Sequence, residues 1–203
     1  MPTLTAKELQ THDPKRFQKE YSKWWEYALD YDWWDWAEEQ LKERLAPAGV
    51  LIDRIYFSLS YSQGDYASFE GSISVDEWMV HTGYDEAYPA LYLAALDYCE
   101  FARVSERSSR GGWPRVALDG YIVGNTPPAG VFKDLDPEAW DELIEEQFSA
   151  AGMEDEMQSF VEDECRQLYR DLRAEYEHLT SEESFIESCE CNDITFETEE
   201  IEA

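Results

Sequence analysis

Positive charge is what this chain has least of: 16 Lys and Arg stand against 46 Asp and Glu in 203 residues, a net charge of −30 with His neutral. A surface so poor in cations cannot neutralise phosphates, which argues against direct binding of DNA, RNA or an anionic membrane. Long hydrophobic runs are missing as well. No stretch approaches the roughly 18 to 20 apolar residues that cross a bilayer, and the start from Met1 to Lys7 lacks a secretory hydrophobic segment, so a cytoplasmic protein is expected. Cysteine is sparse. Cys99, Cys165, Cys189 and Cys191 show one C-x-C and no framework spacing, which predicts reduced thiols and no structural disulfide.

Signatures of chemistry are equally scarce. There is no D-x-D-x-D-G loop for calcium, and Asp65 has no companions at the offsets such a loop needs. Glu154-Asp155-Glu156 and Glu162-Asp163-Glu164 are consecutive on a predicted helix and splay around it instead of converging on an ion. Cys189 and Cys191 with His178 lack a fourth zinc ligand. His12, His81 and His178 fall in different predicted elements, and Gly71-Ser72-Ile73-Ser74 lacks the closing Gly of a nucleophile elbow. Paired carboxylates exist in any acidic chain and single out no glycosidase. The expectation is a non-enzyme with no metal and no cofactor.

Hydrophobic residues are nevertheless 43% of the chain, aromatics 15%, and eight residues are Trp, too many buried-prone side chains for a solvated acidic tail. The length suits one α+β domain over residues 1–203, with a Trp-rich helical hairpin and sheet in 1–133 and a highly acidic helical region with a final strand in 134–203. Pro14 after Asp13 opens a helix in which Phe17, Tyr21, Trp24, Trp25 and Ala28 recur at helical spacing. A second runs from Trp33 through Leu41 and Leu45 to a stop at Pro47 and Gly49.

Ile55, Phe57, Leu59 and Tyr61, then Ala67, Phe69, Gly71, Ile73 and Val75, alternate with polar or small residues around a turn at Gln63-Gly64-Asp65. This period of two predicts an antiparallel pair in a sheet of about four strands with helices over one face. A helix is expected over 84–106 with its true start near Tyr88, then a loop over 105–112, a strand over 116–124 and a rigid loop over 125–130. Arg103, Arg107, Arg110 and Arg115 read as neutralising nearby carboxylates. Pro137 after Asp136 opens a helix with Trp140, Leu143, Ile144 and Phe148 inside, ended by Gly152. The longest helix spans 154–179. Ser181 caps a short one, and the alternation from Asp193 predicts a final strand added to the sheet.

The stretch Ser62-Gln63-Gly64-Asp65-Tyr66-Ala67-Ser68-Phe69-Glu70-Gly71 resembles the S-Q-G-D-G-A-C-F-x-G signature of a family of small acidic phage and prophage proteins. Tyr66 replaces the usual Gly and Ser68 the usual Cys, so a role resting on that Cys does not transfer. Trp33-Trp34-Asp35, the run from Ile52 to Ser58, Leu168-Tyr169-Arg170 through Tyr176, and Asn192 to Phe196 are similar to other parts of that family. Its members are mostly of unknown function and some are labelled antitoxins. The resemblance implies a phage-encoded protein acting on host machinery.

The charge is concentrated. Residues 134–203 hold 25 Asp and Glu against three Arg and no Lys, a local charge of 3 − 25 = −22. Self-repulsion of this size costs stability, and its retention points to a basic surface that has to be met. Carboxylates one helical turn apart, about 5.4 Å, imitate phosphate spacing. The candidate rows are Glu138, Asp141, Glu142, Glu145 and Glu146 on one helix and Asp155, Glu162, Asp163, Asp171 and Glu175 on the next. Trp34 is the candidate anchor, since Trp33, Trp34 and Trp36 cannot all face inward. The expected function is a DNA mimic that occupies the basic groove of a host DNA- or RNA-binding or defence protein. The alternative is an antitoxin-like module that binds one partner through an exposed Trp and the sheet face made by Ser58, Ser60, Ser68, Glu70, Ser72 and Ser74. A homodimer is left open.

Overall fold

The structure is a computed structural model that describes residues 3–29, 31–60, 64–98, 101–105, 114–119 and 134–198. The chain divides into two compact units, one of residues 1–35 and 171–203, the other of residues 36–170.

The first unit begins with β1 (Thr3–Leu4), α1 (Ala6–His12) and α2 (Pro14–Trp25). Thr5 and Glu8 form a reciprocal capping box at the start of α1, and the Thr5 N–H holds the Glu8 carboxyl below its usual range. Asp13 accepts from the Arg16 N–H and caps α2, with Pro14 fixed in its first turn. Against them lies α9 (Glu182–Cys191), capped by Ser181 through the Ser184 N–H. Ala6, Leu9, Phe17, Phe185 and Cys189 make the core, with Phe17 edge-on to Phe185 at 5.4 Å between ring centroids. The Tyr21 hydroxyl donates to the Thr180 carbonyl, and burial pushes its pKa up. β6 (Phe196–Glu197) pairs antiparallel with β1, not with the large sheet as the alternation after Asp193 suggests. Two residues of strand carry too little side-chain pattern to choose a partner.

The second unit holds α3 (Asp35–Leu45), β2 (Val50–Ser58), β3 (Tyr66–Ser74), α4 (Val75–Thr82), α5 (Tyr84–Ala87), α6 (Pro89–Tyr98), β4 (Phe101–Ser105), β5 (Arg115–Asp119), α7 (Pro137–Ala151) and most of α8 (Met153–Leu179). The sheet is antiparallel in the order β2-β3-β4-β5. The α+β class, the four-stranded sheet and the helices over one face are those expected. Ala67, Phe69, Gly71 and Ile73 of β3 are buried, as are Ala102 and Val104 of β4. The helix expected over 84–106 is instead α5, α6 and β4. Pro89 lies at the start of α6, whose Ala90, Leu91, Ala94 and Ala95 are buried, and Ala102 and Val104 switch the period from helical to two. α3 begins at Asp35, because Trp33 is buried and sits edge-on to Tyr176 at 5.9 Å in the first unit.

β2 carries a bulge: Ile52 pairs with Gly71 and Arg54 with Glu70, leaving Asp53 extra. The bulge brings the Leu51 carbonyl over Gly71, where a Cβ would meet that oxygen at 2.0 Å. The conspicuous Gly of the Phe69-Glu70-Gly71 run is thus a steric requirement of the β2 bend. In the turn before β3, Asp65 accepts from both the N–H and the hydroxyl of Ser60 at 2.9 and 2.8 Å. Gln63, Cys99, Arg107, Arg110, the far part of the strand expected over 116–124 and the loop over 125–130 lie outside the described residues.

Ser68 is buried and its hydroxyl has no hydrogen-bond partner among the described residues. A thiol tolerates such a place better than a hydroxyl, because it gives up little on leaving water. Ser68→Cys should therefore raise stability by about 1 kcal/mol. A urea midpoint that falls in this variant would contradict the reading.

Candidate functional site

α7 carries five acids and no Lys or Arg. Asp136 caps it through the Ala139 N–H, Pro137 sets its first turn, and Trp140 and Ile144 are fully buried beneath it. Neighbours fix its ends and its roll. The Leu91 N–H of α6 donates to Gln147 Oε1 at 3.1 Å, and the Tyr84 and Tyr88 hydroxyls donate to the Ala151 and Ala150 carbonyls at 3.1 and 3.3 Å. The two tyrosines thereby satisfy carbonyls that the helix end leaves open. With Trp140 and Ile144 inward, 100° steps put Glu138, Glu142 and Glu146 on the opposite stripe, with Glu145 on its flank and Asp141 nearer the buried side. Glu138, Glu142, Glu145 and Glu146 are exposed, and Asp141 is half-buried with one carboxylate oxygen sealed and unbonded. Among the described residues no cation pairs with any of the five.

The spacing is close to that of a phosphate strand. Eight residue steps separate Glu138 from Glu146, about 12 Å of helix axis. Five charges over that length are one per about 3 Å, against one per about 3.4 Å along a single DNA strand.

α8 behaves differently. Met157, Val161, Cys165, Leu168 and Leu172 are buried on one stripe, and Gln158 anchors the helix to β5 by accepting from the Val116 N–H and donating to the Pro114 carbonyl, both at 2.9 Å. Asp155 and Asp163 are exposed and Glu162 half-buried on the outward side, but Arg166 pairs with Glu162 at 3.2 Å and with Asp163. Glu164 pairs with Arg44 at 2.8 Å, and Glu177 with Arg173 at 2.8 Å. Such exposed pairs contribute little stability, yet they cancel the local field. Asp171 and Glu175 are half-buried, belong to the first unit and lie toward the apolar stripe. The candidate row on α8 is therefore broken into an outward part, in which Arg166 neutralises Glu162 and Asp163 while Asp155 has no cation beside it among the described residues, and an inward part. The three Arg at helical spacing were the available sequence signal.

Among the tryptophans, Trp33 is 8% exposed, Trp34 is half-buried and edge-on to Trp33 at 6.0 Å, and Trp36 on α3 is 53% exposed. Of the serines expected on the outer sheet face, Ser68 is buried and unavailable for docking, and the face carries more than serines. Arg54, Arg103 and Arg115 are exposed on it, and the Tyr56 hydroxyl bonds the Glu70 carboxylate, which pushes the Tyr56 pKa up. An open depression of about 580 Å³ on this face is lined by Leu51, Asp53, Glu70, Ser72, Arg103 and Ser105.

His12, His81 and His178 each occupy the last turn of a different helix, where a cation suits the helix dipole. Among the described residues no three His, Cys, Asp or Glu are grouped to hold a metal ion, and no helix is long and apolar enough to cross a membrane. Burial pushes the Cys165 thiol up to about 12, and Cys189 is raised by burial too, whereas Cys191 is exposed. A maleimide at pH 8 should modify Cys191 in the native protein and reach Cys165 and Cys189 only in denaturant. Peptide mapping that finds Cys165 labelled without denaturant would remove the basis for placing it in the core.

Residues 33–182, 150 of the 203, match the family model described as Domain of unknown function (DUF8835). No curated protein and no solved structure matches the chain.

Proposed function

The chain belongs to the DUF8835 family, whose matched stretch takes in the whole sheet and α7, and from that premise we propose that it is a non-enzymatic mimic of DNA. In this reading it inhibits a host DNA-binding or anti-phage defence protein by filling that protein's basic groove. The observation that carries the reading is the outer side of α7, with four exposed carboxylates and a half-buried fifth, Asp141, at phosphate-like axial spacing and no cation beside them among the described residues. Carboxylates held on a rigid helix attract a groove built for phosphates while offering no backbone to cut and no bases to read. The resemblance around Gly64-Asp65 and Phe69-Glu70-Gly71 supports a phage origin, and with it action in the host cytoplasm.

The test is capture from a bacterial lysate at low salt, with this protein as bait and with or without excess duplex DNA. Release of a captured DNA-binding protein by the DNA is the expected result. Capture indifferent to DNA would move the case to an antitoxin-like module that uses an exposed Trp and the sheet face, with the acidity serving solubility and steering.

A further inference from the structure

We propose that the exposed rings of Trp25, Tyr27 and Tyr31 dock an arginine-bearing segment of the partner protein. This deepens the reading above, since it rests on a basic partner, but it concerns a different surface. All four strongly exposed aromatic side chains among the described residues fall between positions 25 and 36. Three of them, Trp25 at 45%, Tyr27 at 69% and Tyr31 at 57% exposure, belong to the first unit. Their side chains make no ring contact and no hydrogen bond among the described residues, unlike the neighbouring Trp24, which stacks on Tyr21 and Phe185.

The chemistry around them selects the occupant. Glu26, Asp32 and Asp35 are exposed, and no Lys or Arg occurs between Lys23 and Lys42. An apolar partner laid on these rings would strip water from the adjacent carboxylates without replacing it, which is costly. A cation meets both needs, attracted by the negative ring faces and by the carboxylates. Guanidinium suits the site better than ammonium, because it is planar, stacks on rings and is more weakly hydrated.

Octa-arginine and octa-lysine peptides, titrated separately at low salt by calorimetry, test this. The wild-type protein should bind octa-arginine about fivefold tighter. W25A/Y27A/Y31A should erase that preference while its affinity for octa-lysine stays within about twofold, and W25F/Y27F/Y31F should keep it. Unchanged far-UV circular dichroism in both variants confirms that the fold is intact. Equal wild-type affinities, or a preference that survives the triple alanine variant, would overturn the proposal. The preference is read on peptides alone, so it stands or falls apart from DNA-competed capture.

Discussion

Converting Glu138, Glu142, Glu145 and Glu146 to Gln and Asp141 to Asn should abolish DNA-competed capture of the target. Neutralising the outward acids of α8, Asp155, Glu162 and Asp163, should weaken it far less. The contrast follows from pairing. The four α7 glutamates face solvent and Asp141 is half-buried, with no cation beside any of them among the described residues, whereas Arg166 already occupies Glu162 and Asp163. If each α7 carboxylate acts as a phosphate does, five contacts give a log–log salt slope of about −4, and a fourfold rise in salt costs roughly 250-fold in affinity. Single substitutions should each remove about one unit of that slope. Full inhibition by the quintuple variant would sink the mimicry reading. Equal losses from the α7 and α8 sets would remove α7 from its centre.

The largest effect on stability should come from Gly71→Ala. The added methyl would lie 2.0 Å from the Leu51 carbonyl oxygen, a backbone atom held by the β2 bulge, so no flexible side chain can make way. Ordinary overpacking costs about 1–3 kcal/mol, and a backbone collision at the centre of the sheet should exceed about 3 kcal/mol. Gly83→Ala is the internal comparison. Gly83 has φ +78 with open space around it, so alanine there meets only the left-handed backbone penalty of about 1–2 kcal/mol. Denaturant midpoints of the two variants measure the difference. A Gly71→Ala cost below that of Gly83→Ala would mean that β2 does not bend over the glycine as described.

Local chemistry made much of the fold legible. Asp13, Asp136 and Ser181 each precede a helix and each cap it, and the alternation of Ala67, Phe69, Gly71 and Ile73 in β3 is the observed one, whereas β2 ends at Ser58, before Leu59. Thr5-Ala6-Lys7-Glu8 is a capping box readable in advance, yet the first helix is expected only at Pro14, since α1 buries no more than Ala6 and Leu9, too short a stripe to set a period. Phe101 to Ser105 is a strand that follows a helix with little warning, because two inward residues barely establish a period. The pairing of β1 with β6 joins positions 194 residues apart at Thr3 and Glu197, and no local rule reaches that far. At the candidate site the α7 stripe follows from spacing alone. On α8, the Arg44–Glu164 pair depends on which helix comes alongside, so the surviving charge could not be counted from spacing.

The arginines of the outer sheet face give the charge of the second unit a direction. Arg54, Arg103 and Arg115, with only Asp53 and Glu70 beside them among the described acids lining the depression on that face, project from the side of the sheet away from its buried face, while the acids of α7 have no cation beside them among the described residues. Charge separated in this way is an electric moment, and a positive cleft exerts a torque on it before any atoms touch. The second unit should therefore meet such a cleft already turned, with α7 leading, and fewer encounters should be wasted on its wrong face. Reversing Arg54 and Arg103 to Glu would make the protein more negative yet flatten the moment. If alignment governs the encounter, association should then slow even though total attraction has grown.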